Sequence, residues 1–473
     1  ESSAASDVYK RQANISGSTV NRVLSFGGFM DIMVILQIIV LLGAIFVGVR
    51  LGGIGIGYAG GAGVLILGLC LGMKPGNIPW DVILIIASVI SAISAMQLAG
   101  GLDYLVYIAE KILYKNPKYI NYLAPLVTYV LTIFAGTGHT AFSMIPVIVE
   151  VAKGQNIRPS VPLSIAVVSS QIAITASPVS AAVIYMTGVL EPFGWSYPTL
   201  IAVWLVTTFL GCMVTAFIMT MFCKMDLSTS QVYQERLKEG LVKPPVGMQE
   251  IKITSSAKLS VWIFLIGVIA VVCYASAISP AIGLIKPVIV ARDAAIMSLM
   301  LTVGAFITIF CKIKLGDIAS TSVFKSGMVA CICVLGVAWL GDTFVSGHTA
   351  QIKAFASETI SQYPALLAVV FFLAAMLLYS QAATAKAITP TVVAALGITA
   401  AHPDNAYMLV ACFAAVSALF VLPTYPTLLG AVQMDDTGTT RIGKWVFNHS
   451  FFIPGVLAIV FSVAFGFVAC GFI

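Results

Sequence analysis

Apolar residues fill long runs along almost the whole chain, and short polar stretches separate one run from the next. A run of about 18 to 25 mostly apolar residues is the length of helix that crosses roughly 30 Å of hydrocarbon, so the pattern predicts membrane-spanning helices. A longer hydrophilic stretch over residues 224–258 divides the runs into two sets of six. The runs are Ile32–Val49, Leu51–Gly72, Trp80–Ala99, Tyr119–Val151, Val161–Leu190 and Pro198–Cys223 in the first half, and Leu259–Ile278, Asp293–Cys311, Val323–Val345, Tyr363–Leu396, Asn405–Met434 and Trp445–Ile473 in the second.

Two runs in each half are interrupted at corresponding places. The first interruption is small and polar, GTGHT at residues 136–140 and SQAAT at residues 380–384. The second is a proline break, TASPVSAAV at residues 175–183 and LPTYPTLLGAV at residues 422–432. Identity between the halves is low, so the spacing indicates a structural repeat rather than a strong sequence repeat.

The first kind of interruption predicts a re-entrant hairpin in each half, over Tyr119–Val151 and Tyr363–Leu396. About five true spans then remain per half, and an odd number of spans inverts the second half relative to the first. The predicted fold class is an all-α polytopic membrane protein of two inverted repeats, each with about five transmembrane helices, a re-entrant hairpin and a broken helix. The predicted divisions are residues 1–29 as a disordered extension or sequence artefact, 30–223 as the first transmembrane repeat, 224–258 as a cytoplasmic loop, and 259–473 as the second repeat.

The loop cations agree with this topology. With residues 224–258 in the cytoplasm, most of the loop lysines and arginines fall on the cytoplasmic side, as the positive-inside rule requires. Both chain termini are then predicted to be periplasmic. The cations placed inside are Arg50, Lys111, Lys115, Lys118, Lys153, Arg158, Lys312, Lys314, Arg441 and Lys444.

Composition argues against several other classes of protein. The chain is 59% hydrophobic and only 9% charged, and no soluble domain is left over. The formal net charge of +6 is scattered over short loops instead of forming a basic face, so nucleic acid is not a predicted partner. The nine cysteines lie almost all in apolar runs, without metal-ligand spacing to histidine, so we predict no metal site and no cofactor.

The proline breaks are candidates for a binding site. Broken helix at membrane depth is tolerated only where it is buried in protein or faces a water-filled cavity. Breaks at corresponding places in two repeats point to a site at the repeat interface, whereas an isolated proline often only bends a span. Hydroxyl groups accumulate at both breaks, from Thr175, Ser177 and Ser180 in the first half and from Thr424, Tyr425 and Thr427 in the second.

The two hairpin tips suit an anionic ligand. Small polar residues at a tip can expose the amides of a helix N-terminus, which acts like about half a positive charge. The alternative is a polar patch that packs two spans together through serine and threonine hydrogen bonds.

A dianion needs more than one helix terminus. Desolvating a carboxylate costs several kcal/mol, whereas a terminus returns about 0.3 to 2 kcal/mol. Lys386 is the one lysine or arginine that the topology buries in a hairpin, which makes it a functional candidate, and snorkelling to the interface is the alternative.

His139 could donate to a carboxylate or carry a proton, although a lone histidine is more often a packing residue. Gln381 and Asp342 either line the cavity or have a structural role.

Two resemblances to enzyme motifs fail on context. GIGYAG at residues 55–60 fits a dinucleotide-binding pattern, but it lies inside a span, where small-residue helix packing is the better interpretation. DDTGTT at residues 435–440 contains a protease-like triplet without a second copy, and we interpret Asp435 and Asp436 as loop caps. An intramembrane hydrolase using Asp342 and Asp436 is disfavoured because the topology places them near opposite faces, so we do not predict an enzyme. A channel is a further alternative, which saturable counterflow would exclude.

Eight stretches carry a resemblance to a known family: RLGGIGIGYAGGAGVLIL, KPGNIPWDVI, SAMQLAGGLDYL, NPKYINYLAPLVTYVLTIFAGTGHTAFSMIPVI, SQIAITASPVSAAVIYM, GVAWLGDTFVS, LLYSQAATAKAITP and LPTYPTLLGAVQMDDTGTTRIGKWVFNHSFFIPG. They closely resemble the anaerobic C4-dicarboxylate transporter (Dcu) family, and its A-type members in particular. The resemblance extends from Met30 to Ile473.

The resemblance implies a bacterial inner-membrane carrier for fumarate, succinate, malate and aspartate in anaerobic respiration, working by exchange or by cation-coupled uptake. It also implies kinship with transporters built from two inverted repeats whose polar hairpin tips bind carboxylates. The Ser-Asn-Thr signature with which some relatives bind sodium is not reproduced here; protons and sodium stay open as coupling ions, as does a homo-oligomer. The implied substrate-binding residues are Thr137, His139 and Thr140 in the first tip, Ser380, Gln381 and Thr384 in the second, and Thr175, Ser177, Thr424 and Thr427 at the breaks. The charge argument given above adds Lys386 to these predicted substrate-binding residues.

Overall fold

A computed structural model of the protein describes residues 32–51, 54–138, 141–244, 253–280, 282–351, 363–423, 425–443 and 447–473. This part of the chain is predominantly α-helical and contains no β-strand. The predicted extension over residues 1–29 lies outside the described residues. The helices are α1 (Ile32–Leu51), α2 (Gly55–Leu65), α3 (Trp80–Leu98), α4 (Gly101–Lys115), α5 (Ile120–Ala135), α6 (Ala141–Gly154), α7 (Ser160–Ala173), α8 (Ala181–Leu190), α9 (Tyr197–Phe222), α10 (Gln231–Lys238), α11 (Ser255–Ala277), α12 (Arg292–Cys311), α13 (Ser322–Cys333), α14 (Trp339–Gly347), α15 (Leu366–Leu378), α16 (Gln381–Ala395), α17 (Ala406–Cys412), α18 (Pro426–Met434) and α19 (Phe452–Cys470).

Several helical stretches are long and apolar enough to cross a membrane, which confirms the predicted all-α polytopic class. In the part of the chain that the structure describes there are seven: Trp80–Leu98, Ser160–Phe193, Tyr197–Phe222, Ser255–Ala277, Arg292–Cys311, Ser322–Gly347 and Phe452–Cys470. Helix α4 was not expected from the apolar runs, because it is amphipathic rather than uniformly apolar.

A helical hairpin occurs at each of the two predicted places. In the first, α5 and α6 flank the tip at residues 136–140, where Gly136 adopts a positive φ of 64°. In the second, α15 ends at Leu378, Tyr379 adopts a φ of 55°, and α16 begins two residues later. The four arms have 13 to 16 residues. At 1.5 Å per residue each arm is about 20 to 24 Å long, too short to cross roughly 30 Å of hydrocarbon alone.

A broken helix also occurs in each half. Helix α7 tightens into a 3₁₀ turn at Ile174–Ala176, and the backbone is extended at Ser177 and Ser180 before α8 begins. Helix α17 continues as a 3₁₀ helix, Phe413–Phe420, and α18 begins with Pro426 in its first position. Proline is accepted there because the first helical residue needs no amide donor.

Corresponding elements of the two halves make corresponding contacts. Arm α6 of the first hairpin packs against α18 of the second broken helix, and arm α16 of the second hairpin packs against α8 of the first. Helix α5 packs on α7, α15 packs on the 3₁₀ helix after α17, and α9 packs on α19. We call α5–α9 and α15–α19 the hairpin bundle. The inverted orientation of the halves stays a prediction.

Helices α1–α3 and α11–α14 form a second group, which we call the scaffold. Helix α3 packs on α12 and α13, and α2 crosses the π-helical turn between α13 and α14, Val334–Ala338. At this crossing Gly57 and Gly60 lie directly against Ile332 and Gly336, and a Cβ on Gly57, Gly60 or Gly336 would overlap backbone atoms of the other helix. The small-residue interpretation of GIGYAG is therefore confirmed.

Candidate functional site

A cavity of about 370 Å³ lies between the hairpin bundle and the scaffold, and we call it the central cavity. Both hairpin tips and both helix breaks contribute to its wall. The bundle residues that line it are Ala135, Gly136, Thr137, Phe142, Ile174, Val179, Ser180, Ala181, Ala182, Leu378, Tyr379, Ser380, Gln381, Ala382, Tyr425 and Pro426. The four interruptions predicted from the sequence thus meet at one place.

The two walls of the central cavity differ in chemistry. The bundle wall carries hydroxyl and amide groups, from Thr137, Ser180, Tyr379, Ser380, Gln381 and Tyr425. The scaffold wall offers only apolar side chains and one thiol, from Ile56, Ile86, Val89, Ile90, Val329, Ala330, Cys333 and Val334. Polar contacts to a ligand would therefore come from the bundle alone.

Four helices begin at the central cavity, two from each half. Helix α8 begins at Ala181, α16 at Gln381 and α18 at Pro426, and all three residues line the cavity. Helix α6 begins at Ala141, and its second residue, Phe142, lines the cavity. Each N-terminus acts like about half an elementary charge, so the four together amount to about two positive charges. Among the described lining residues there is no Lys, Arg, Asp or Glu.

Some of the residues predicted to bind substrate in the first half line the cavity, and others support its wall. Thr137 lines the cavity. Ser177 is buried and donates to the carbonyl oxygen of Ile133 at 2.6 Å, which ties the first break to the first hairpin arm. Thr175 donates to Ile172 within its own turn. Neither Thr175 nor Ser177 lines the cavity, and His139 and Thr140 lie outside the described residues.

Ser180, a break hydroxyl that the predicted set omitted, caps α8. Its hydroxyl accepts a hydrogen bond from the amide of Val183 at 3.2 Å and donates to the carbonyl oxygen of Ile174 at 2.7 Å. Because both partners belong to the same broken helix, Ser180 fixes the start of α8 at the cavity wall. A serine directly before an apolar helical segment was the sequence signal for this role.

The second tip and the second break are joined through a residue of the first half. Gln381 donates to the carbonyl oxygen of Gln171 at 3.1 Å, and the Gln171 side chain donates to Thr427 at 3.3 Å. Gln381 and Ser380 line the cavity, whereas Thr427 is buried behind it. Thr384 donates to the carbonyl oxygen of Ser380 at 2.7 Å, so it supports the tip. Thr424 lies outside the described residues.

Two tyrosines line the cavity beside the second tip and break. The rings of Tyr379 and Tyr425 are 6.2 Å apart. The predicted set of substrate-binding residues contained neither, although Tyr425 was among the hydroxyl groups noted at the second break.

Lys386 does not line the central cavity. Its ammonium group forms an ion pair with Asp81 in the first turn of α3, across the seam between bundle and scaffold. Asp81 also lines a smaller cavity of about 230 Å³, together with Tyr185, Arg292 and Asp293. Arg292 is paired with Glu191 at 2.6 Å. The structure thus compensates the charge of Lys386 with a scaffold carboxylate.

The other acidic residues singled out in the sequence have structural partners. Asp435 is buried and accepts hydrogen bonds from the amides of Thr437 and Thr440, which confirms the loop cap. Asp436 accepts from Lys153 at 3.0 Å. Asp342 accepts from the amide of Asn77 at 2.6 Å in the loop before α3. Asp342 and Asp436 thus belong to separate structural networks.

Comparison with known proteins gives consistent results. A family model described as an anaerobic C4-dicarboxylate membrane transporter matches residues 33–473. A protein of Helicobacter pylori strain J99 named C4-dicarboxylate transporter DcuA is 66% identical over 432 residues, 91% of this chain and 97% of its own. Proteins with the same name from Wolinella succinogenes and Escherichia coli K12 are 62% and 57% identical, covering 92% and 93% of this chain and 99% and 100% of theirs.

Proposed function

The chain belongs to the family of anaerobic C4-dicarboxylate membrane transporters, and from this premise we propose that it exchanges fumarate, succinate, malate and aspartate across a bacterial inner membrane. It is a multi-pass membrane transporter of C4-dicarboxylates and not an enzyme. The observation that supports the proposal best is the convergence of four helix N-termini, two from each half, on one cavity.

The charge of the central cavity suits a dianion. Four helix termini supply about two positive charges, which equals in magnitude the charge of fumarate, succinate or malate at neutral pH. Because each half contributes one hairpin tip and one break, we propose that each half binds one carboxylate. Thr137 lies on the side of the first half, and Ser380 and Gln381 lie on the side of the second. His139, Thr140 and Thr424 stay proposed contacts on the basis of the sequence.

The asymmetry of the two walls favours a moving bundle. All the hydroxyl and amide groups of the described lining belong to the bundle, so a bound substrate would travel with these ligands and meet a scaffold wall that is apolar apart from the Cys333 thiol. With a dianion bound, the helix termini are compensated. Without one, about two positive charges would have to pass an apolar wall, which is costly. Exchange of one dicarboxylate for another therefore follows as the favoured mode.

A counterflow assay in proteoliposomes tests this proposal. Vesicles loaded with labelled succinate should lose it slowly into plain buffer and quickly when fumarate is present outside. Malate and aspartate should also accelerate efflux, whereas C5 dicarboxylates and monocarboxylates should act weakly. Proton or sodium gradients should leave the exchange rate unchanged. Equal efflux with and without external fumarate would contradict exchange and favour cation-coupled uptake.

The proposed orientation places both termini in the periplasm and the segment around α10 in the cytoplasm. Its support is the distribution of loop cations. Single cysteines introduced at Ser228 and at Asn77, in a variant without the native cysteines, test it. A membrane-impermeant thiol reagent added to intact cells should label the residue 77 variant and spare the residue 228 variant, and the reverse pattern would overturn the orientation.

A further inference from the structure

A second cavity lies on α4 and the first turn of α11, away from the central cavity. Its volume is about 610 Å³, and we call it the basic cavity because Lys111, Lys115 and Lys258 line it. All three lysines are exposed, and none takes part in the ion pairs found among the described residues. Tyr104 and Tyr107 complete its polar rim, and the Lys258 ammonium group lies 6.0 Å from the Tyr104 ring centre.

The lysines of the basic cavity repel one another. Lys111 and Lys115 are four residues apart on α4, a spacing at which like charges destabilise a helix by a few tenths of a kcal/mol. Lys258 adds a third positive charge from another helix. An anion bound between them would remove this repulsion.

An apolar crevice of about 300 Å³ continues from the basic cavity. The two share Ile108 and Ile112, which lie on α4 between the lysines and the crevice. The crevice runs between α4, α5 and α11, and apart from Ser143 its lining is apolar. Ile112, Val130 and Phe134 are 39%, 42% and 37% exposed there, so large apolar side chains face an open space.

The position of α4 matches a membrane interface. The helix follows directly after α3 and is followed by α5, and it packs against α11, α5 and α6. It has 15 residues, with Leu102, Ala109 and Leu113 buried, and its lysines exposed on the other side. An amphipathic helix of this kind is suited to a position in the plane of the interface. The predicted topology puts this end in the cytoplasm, where the leaflet surface is negative.

We propose that the basic cavity and the crevice together bind one anionic phospholipid. Its phosphate would lie among Lys111, Lys115 and Lys258, and an acyl chain would fill the crevice past Ile112 towards Phe134. A free anion would use only the basic cavity, and a zwitterionic lipid would bring its own cation to the lysines. An anionic lipid matches both the charge and the apolar continuation. The bound lipid would lie at the seam between α11 of the scaffold and the first hairpin.

Native mass spectrometry of delipidated protein tests the proposal without measuring transport. Phosphatidylglycerol and phosphatidylcholine with identical acyl chains are titrated separately, with inorganic phosphate and glycerol phosphate as further probes. Phosphatidylglycerol should bind roughly tenfold more tightly than phosphatidylcholine. The triple variant Lys111→Gln, Lys115→Gln, Lys258→Gln should lose this preference. The matched variant Lys118→Gln, Lys312→Gln, Lys314→Gln removes the same charge and should keep it.

The crevice is tested by Val130→Trp, which adds bulk to its open side. Affinity for long-chain phosphatidylglycerol should fall, and affinity for the dihexanoyl form should change little. The proposal is overturned if both headgroups bind equally, if the triple variant keeps the preference, or if Val130→Trp leaves long-chain binding unchanged. Phosphate that binds as tightly as the lipid and is lost in the triple variant would instead identify a site for free anions. Melting temperatures of the variants separate these results from misfolding.

Discussion

The central cavity and the basic cavity are both suited to anions, but their positive potential has different sources. In the central cavity four helix N-termini provide it, and no charged side chain is among the described lining residues. In the basic cavity three exposed lysines provide it. One cavity lies between two helical groups, and the other lies at the proposed interface.

The difference agrees with the role that we propose for each site. A lysine in the bundle wall would have to be desolvated whenever that wall passed the scaffold, at a cost of several kcal/mol. Helix termini carry only partial charges, and their amides belong to helices whose other groups are already hydrogen-bonded. A stationary site at the surface has no such constraint, so solvated ammonium groups suffice there.

The largest expected effect comes from placing a negative charge at the N-terminus of α16. Ala382 is the second residue of this helix and lines the central cavity, with 6% of its surface exposed. Ala382→Asp puts a carboxylate where the substrate carboxylate is proposed to bind, so succinate counterflow should fall by more than roughly 100-fold, about 2.7 kcal/mol. Ala382→Asn has nearly the same shape without the charge and should lose less than roughly tenfold. Equal losses in the two variants would mean that bulk, not charge, is responsible.

Ionic strength should separate the two cavities further. Charges at the surface are screened as the Debye length falls from about 10 Å at 0.1 M to about 3 Å at 1 M salt, whereas buried groups are screened much less. Choline chloride raised over this range should weaken phosphatidylglycerol binding by roughly tenfold and change dicarboxylate affinity by less than about threefold. Choline avoids adding a candidate coupling ion. A strong salt dependence of dicarboxylate affinity would mean that the central cavity relies on exposed cations after all.

The hairpins and breaks could be predicted because local sequence determines them. A proline or a small polar segment inside an apolar run is visible without tertiary information, and its recurrence in both halves indicated a common site. The convergence of Thr137, Ser380 and Gln381 on one cavity agrees with that reasoning.

The features that could not be predicted depend mostly on partners that are distant in the sequence. Asp81 lies 305 residues before Lys386, in a different helix, so nothing local revealed that the lysine has a partner. Gln171 lies in an apolar segment, and its link to Thr427 appears only when the two halves pack. Helix α4 was missed because a search for long apolar runs cannot detect an amphipathic helix.

A smaller effect is expected from the link between the halves. Gln171→Leu removes the hydrogen bond to Thr427 behind the central cavity, a loss of about 1 kcal/mol, so succinate affinity should fall about fivefold. Ser170→Ala is the matched control, because the buried Ser170 hydroxyl donates to Val167 in its own helix. Lipid binding at the basic cavity should not change in either variant. The same loss in both would show that the cavity responds to any change in α7, and the specific link would have no special role.

The smallest effect is expected at the ion pair between Lys386 and Asp81, which decides whether the central cavity needs a cation. The two side chains are 26% and 43% exposed, so their coupling should be only about 0.2 to 1 kcal/mol. In a cycle of Lys386→Gln, Asp81→Asn and the double variant, succinate affinity should change by less than about threefold, and the double variant should resemble the single ones. A fall of more than roughly tenfold in Lys386→Gln that persists with Asp81→Asn would place the ammonium group at the substrate in another state of the bundle. The contrast between a cavity built on helix termini and one built on lysines would then fail, because Lys386 would leave its carboxylate to bind the dianion.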